Sequence, residues 1–182
     1  MDNQQNVPMH GNHPMVMLPP GRIKFKDFIP LIVIFAAIFV AVGLLVSQSP
    51  KWNWIYAMQM FMASFFLVFG GFKAARWKDF AESYQTYDIV AKKFPFYSYL
   101  YPAIEIILGL LFFFNIYVFA ANVATVLIMA VSGIGVAREL LKKERIYCAC
   151  LGAVFKIPMT WVTFGEDALM AIMAIAMILL TR

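Results

Sequence analysis

Residues 28–50 read FIPLIVIFAAIFVAVGLLVSQSP and residues 52–72 read WNWIYAMQMFMASFFLVFGGF, with Lys51 the only charge between them. Each run is long enough for the roughly 20 apolar residues that carry an α-helix across a bilayer. The composition agrees. Of 182 residues, 63% are hydrophobic and 14% charged, against roughly 45–50% and about 25% in a soluble domain. These proportions exclude a water-soluble globule, a disordered chain and a disulfide-rich secreted fold.

Downstream, Glu105 is the only charge between Lys93 and Arg138. Residues 106–137 as one helix would extend about 48 Å, too far for a single crossing. A break near Asn115 divides the stretch into helices over 96–114 and 117–137, joined by a tight turn. Residues 168–181 supply a short last crossing. Thr163 and Glu166 have the spacing of a capping box, and Glu166 with Asp167 suits the positive end of a helix starting near Phe164. This reading puts both acids at the membrane interface. The expected fold is all-α, a polytopic transmembrane helical bundle of about five spans.

The net charge of +5 depends for its meaning on where the fifteen basic residues fall. Arg22, Lys24 and Lys26 precede the first run. Lys73, Arg76, Lys78, Lys92 and Lys93 follow the second, and Arg138, Lys142, Lys143, Arg145 and Lys156 follow the fourth. With five crossings all of these share one side, which the positive-inside rule makes cytoplasmic. The expectation is a multi-pass protein of a bacterial-type inner (plasma) membrane with a cytoplasmic N-terminus. Basic residues so placed answer to lipid rather than to nucleic acid.

Residues 1–27 read as a disordered head containing Pro8, Pro14, Pro19 and Pro20. Between Lys73 and Lys93, the residues Trp77, Phe80, Tyr84, Tyr87 and Ala91 recur at helical spacing, opposite Lys78, Asp79, Glu82, Ser83, Gln85 and Asp88. That pattern describes an interfacial helix over 73–93, either a plain link between spans or a cover over a site. Residues 146–165 are too short to cross twice and are broken by Lys156 and Pro158, so they read as a re-entrant stretch.

Three groups of residues could carry chemistry. The chain's two cysteines, Cys148 and Cys150, are one residue apart. They could cycle between dithiol and disulfide, hold a soft ion such as copper(I) or zinc, or simply pack as small hydrophobes. Lys142, Lys143 and Arg145 just upstream favour thiolate. Glu105 lies within a span, where an ionisable group marks a pathway or a relay. Its plain alternative is a packing residue paired with Lys73 or Arg76. The head holds His10 and His13 with Met9, Met15 and Met17, ligand types that suit copper, although an unremarkable tail accounts for them too. Gly70, Gly71, Gly109, Ser132, Gly133 and Gly135 allow close helix approach. No phosphate-binding glycine loop, Ser-His-Asp set or zinc quartet supports a kinase or hydrolase.

With these residues in view, GGFKAARWKDFAESYQTYDIVAKKFPFYSYLYPAIE (70–105) and CACLGAVFKIPMTWVTFGEDALM (148–170) resemble the MauE/DoxX family of redox-associated membrane proteins. The resemblance implies a four-helix core over 54–181, with residues 28–48 as an additional N-terminal span. It also implies a part in methylamine utilisation, in forming or maintaining disulfides in a partner enzyme. Carried onto this sequence, it makes Cys148 and Cys150 the functional positions, with Glu105 and Gly152 as motif positions. The leading expectation is thiol/disulfide exchange or electron relay through Cys148 and Cys150, with Glu105 as proton acceptor and no cofactor. Its client would be a thioredoxin-like or periplasmic protein. The rival is a copper or other soft-metal accessory using Cys148, Cys150, Met9, His10 and His13.

Overall fold

Gly70 and Gly109 decide how the centre of the molecule packs. They belong to α2 (Trp54–Ala75) and α5 (Pro95–Phe113) in a computed structural model that describes residues 29–48, 53–141 and 161–181. A methyl group on Gly109 would stand 2.8 Å from Leu67 Cγ and 3.0 Å from the Leu67 amide, and one on Gly70 would stand 3.2 Å from Glu105 Cβ. The two backbones therefore approach closely and run antiparallel. At the far end Gln59 Nε2 donates to the Phe112 carbonyl at 2.7 Å and to Asn115 Oδ1 at 3.0 Å. Small residues at such a crossing let helices gain dispersion contact where lipid supplies no hydrophobic drive.

The remaining elements are α1 (Ile29–Ser47), α3 (Trp77–Tyr84), α4 (Ile89–Lys93), α6 (Val118–Leu141) and α7 (Trp161–Leu180). Among the described residues there is no strand. α1, α2, α5 and α6 are each long and apolar enough to cross a membrane, and the 20 residues of α7 span about 30 Å. α2 packs chiefly on α5, α6 on α7, and α1 on α2. Phe61, Phe65, Phe66, Phe69, Phe112, Met170 and Met177 form the buried centre. Val33, Phe39, Val40, Leu127 and Ile172 are exposed on the outside, as lipid-facing surfaces require. The protein is a polytopic all-α membrane bundle.

The turn expected near Asn115 is present. α5 stops at Phe113, α6 starts at Val118, and both Asn115 (φ 57°) and Tyr117 (φ 48°) take left-handed backbone. Asparagine tolerates that conformation, whereas tyrosine adopts it at a cost of roughly 1–2 kcal/mol.

The segment over 73–93 departs from a single helix. α2 runs on to Ala75, and the rest divides into α3 and α4 around a turn. The cause is Asp88, placed on the polar face by sequence but fully buried here. Its Oδ1 accepts from the amides of Val90 at 2.9 Å and Ala91 at 2.8 Å, capping α4. Phe80, Tyr84, Tyr87 and Ala91 are buried as expected, but Trp77 is half exposed.

α7 begins at Trp161, so Thr163 lies inside the helix rather than at its cap. Residues 161–165, read from sequence as re-entrant, are its first turn. Cys148, Cys150, Gly152 and the stretch 146–160 lie outside the described residues, as do Met9, His10, His13 and the rest of the head.

Candidate functional site

Lys73 ends the apolar run of α2 and is only 8% exposed. Its side chain turns inward because Glu105 is there. Nζ donates to Glu105 Oε1 at 2.5 Å, linking α2 to α5 at the point where Gly70 lets the backbones touch. The ammonium also lies 4.9 Å from the centre of the Tyr101 ring and 5.7 Å from that of Phe80. Aromatic faces carry negative potential, so they replace part of the hydration that burial removes. The pairing with Lys73, which was one sequence alternative for Glu105, is what the structure contains.

Around this pair stands a wall of phenols. Tyr84 and Tyr101 have ring centres 4.6 Å apart, and Tyr97 packs against both. Tyr84 Oη donates to Asp88 Oδ2 at 2.9 Å. Burial pushes the Tyr84 phenol well above its usual value, and the neighbouring Tyr101 and Asp88 add to the effect. It is therefore a neutral donor at any physiological pH. α3 is tied down by Gln85 Nε2 donating to Ser98 Oγ at 2.7 Å and Trp77 Nε1 donating to the Tyr99 carbonyl at 2.5 Å.

From the other side α7 brings two more acids. Glu166 is buried, and Asp167 lies where a methyl on Gly133 of α6 would meet its Cβ at 3.7 Å. Both carboxylates lie within electrostatic reach of Lys73, and Ser132 of α6 lies within hydrogen-bonding reach of Asp167 and Tyr101. Both acids turn into the bundle, on a helix that starts three residues before the expected Phe164. Glu105 Oε2, Glu166 Oε1 and Asp167 Oδ2 are buried and have no hydrogen-bond partner among the described residues. Two adjacent acids on an otherwise apolar helix, matched with a lone lysine ending another, were the available signal.

The site gathers toward the end of the bundle where α2 stops and α7 begins, level with the middle of α5, where Glu105 stands. α6 reaches the same end, since a methyl on Gly135 would come within 3.1 Å of the Tyr87 carbonyl. Chemically, such an arrangement can hold, donate or accept protons away from bulk water. The family model described as methylamine utilisation protein MauE matches residues 53–180. The chain belongs to the MauE family. The matched region takes in α2 to α7, the Lys73–Glu105 pair and both cysteines, while α1 stands ahead of the MauE unit. No curated protein and no solved structure matches the chain.

Proposed function

We propose that this MauE-type membrane protein exchanges disulfides with a client protein through Cys148 and Cys150, in the way a methylamine-utilisation partner enzyme would need for its maturation. The observation that carries this reading is the buried Lys73–Glu105 pair with its spare carboxylate oxygen. It lies at the end of the bundle where α6 and α7, the helices flanking the cysteine pair in sequence, have their adjoining ends.

In the exchange, a client thiolate attacks one sulfur of the Cys148–Cys150 disulfide. That S–S bond breaks and a mixed disulfide forms. The client's second thiolate then attacks the mixed bond, so the client gains a disulfide and Cys148 and Cys150 become thiols. Two electrons and two protons pass from client to protein, and nothing else is consumed. Only thiolates attack, so each step needs a group to take a proton and return it, and Glu105 is the acceptor assigned here. The protein lies in the inner membrane with its N-terminus cytoplasmic, as the placement of the basic residues supports, and a thioredoxin-like or periplasmic protein is the client class.

The test is trapping. Exchange is reversible, so in Cys150→Ser or Cys148→Ser the remaining thiolate should attack the disulfide of the oxidised client, releasing one client thiol. With no second cysteine to resolve the mixed bond, a covalent adduct that reductant releases should accumulate, and the double variant should give none. Two free thiols alkylated in native membranes without prior reduction, with no adduct from either single variant, would overturn the reading. If removing Met9, His10 and His13 also strips copper from the purified protein, the soft-metal role takes its place.

A further inference from the structure

We propose that Glu166, Asp167 and Glu105 form a proton-binding site around Lys73, with Glu166 as its lipid-accessible member. Three carboxyl groups from two helices face a single ammonium. One oxygen on each is buried without a partner among the described residues. Glu105 is 1% exposed and Glu166 7%. The groups facing them are Lys73 from α2, Asp88 from the turn before α4, Tyr101 from α5, and the uncharged Ser132 from α6. The side chains of α1 that line the groove beside Glu166 are all apolar.

Lys73 is in direct contact with Glu105 and is the cation whose charge all three acids share among the described residues. Like charges in a low-dielectric interior cannot all be ionised without a counter-charge. No three His, Cys, Asp or Glu side chains among the described residues converge closely enough to hold a metal ion. The remaining counter-charge is the proton, shared over interacting carboxyls that titrate as a group.

Glu166 differs from its neighbours in what lies outside it. It is the one acid lining a groove of about 590 Å³ between α1 and α7, whose walls include Leu31, Ile32, Phe35 and Leu169. Gly165 at its edge has open space where a side chain would stand. Its apolar walls favour entry of an apolar reagent dissolved in the bilayer over a water-soluble one.

Dicyclohexylcarbodiimide discriminates. The acid proton moves to a carbodiimide nitrogen while the carboxyl oxygen bonds to the central carbon, so only a protonated carboxyl reacts. The full-length protein in vesicles should acquire one adduct, mapped by mass spectrometry to Glu166. At pH 7 the labelling rate should exceed that of a water-soluble carbodiimide at least tenfold, and it should fall as pH rises. Glu166→Gln should abolish the adduct, and Lys73→Met, which removes the competing cation, should carry the labelling to higher pH. Absence of labelling at Glu166, a rate that does not change with pH, or equal labelling by the two reagents would each overturn the proposal. The wild-type pH profile decides the matter if either variant fails to fold. The cysteines take no part in this experiment, so its result is independent of the exchange reaction.

Discussion

Lys73→Met strands Glu105, for which the described residues offer no other cation in contact. Removing one partner of a buried ion pair costs on the order of 3–5 kcal/mol, whereas replacing both is far cheaper. The single variant should therefore melt well below the native protein in detergent, and Lys73→Met combined with Glu105→Gln should recover most of the loss. A double variant as damaged as the sum of the two singles would show that the pair is not a unit. Tyr84 makes the opposite kind of statement, about pH. Its folded phenol is held neutral above its ordinary value, while in the unfolded chain it ionises near pH 10. The stability it contributes is thus intact below pH 10 and lost as pH rises beyond it. Tyr84→Phe should flatten that alkaline loss in a pH series of melting temperatures. Of the site residues, Glu105 was legible in the sequence because a charge inside an apolar run is conspicuous. Tyr101 and Tyr84 were not, since a tyrosine in a span reads equally well as packing, and only the approach of α2 to α5 brings Lys73 over the Tyr101 ring.

At the scale of elements, α2 and α5 depend on two glycines and not on a third. Gly109→Ala drives a methyl against the backbone of Leu67, and overpacking of this kind costs roughly 1–3 kcal/mol. Gly71→Ala meets nothing within 4 Å and should be neutral or slightly stabilising through helix propensity. Thermal melts of the two variants side by side check the contrast. α4 should depend on its cap. Asp88→Asn keeps a capping oxygen, whereas Asp88→Ala loses the acceptor for two amides and should cost about 1–2 kcal/mol. The four long helices and the tight turn at Asn115 could be read from runs and breaks of hydrophobicity, with ends within a few residues of those observed. The split of 73–93 could not, because Asp88 has the same spacing whether it faces water or caps a neighbouring helix. The start of α7 failed for a related reason. A Thr followed three residues later by Glu resembles a cap, yet the residues before it had already entered the helix.

For the molecule as a whole, α1 is the most loosely attached of the long helices among the described residues. It contacts mainly α2, through Leu31, Ile38, Val42 and Val46, and in a bilayer lipid tails replace such contacts at small cost. A chain beginning at residue 53 should therefore still fold into the MauE unit, with a modest fall in melting temperature; aggregation of that chain would show that α1 is integral. The same truncation opens the wall beside Glu166.

The four-residue turn between α5 and α6 also sets how the molecule meets its solvent. It holds the two helices level at one end, while α6 has 24 residues and α5 has 19. At 1.5 Å per residue the longer helix overshoots its neighbour by about 7.5 Å at the other end. There α4 and the Tyr87–Asp88 turn lean against α6 at Gly135. The α5–α6 pair thus has one even end and one stepped end. The stepped end leaves hydrocarbon thickness governed by the 28 Å or so of α5, with protein in place of headgroups beside the taller helix. Lipids of increasing acyl length should leave it stable up to that thickness and destabilise it beyond, since a turn so short lets neither helix slide past the other.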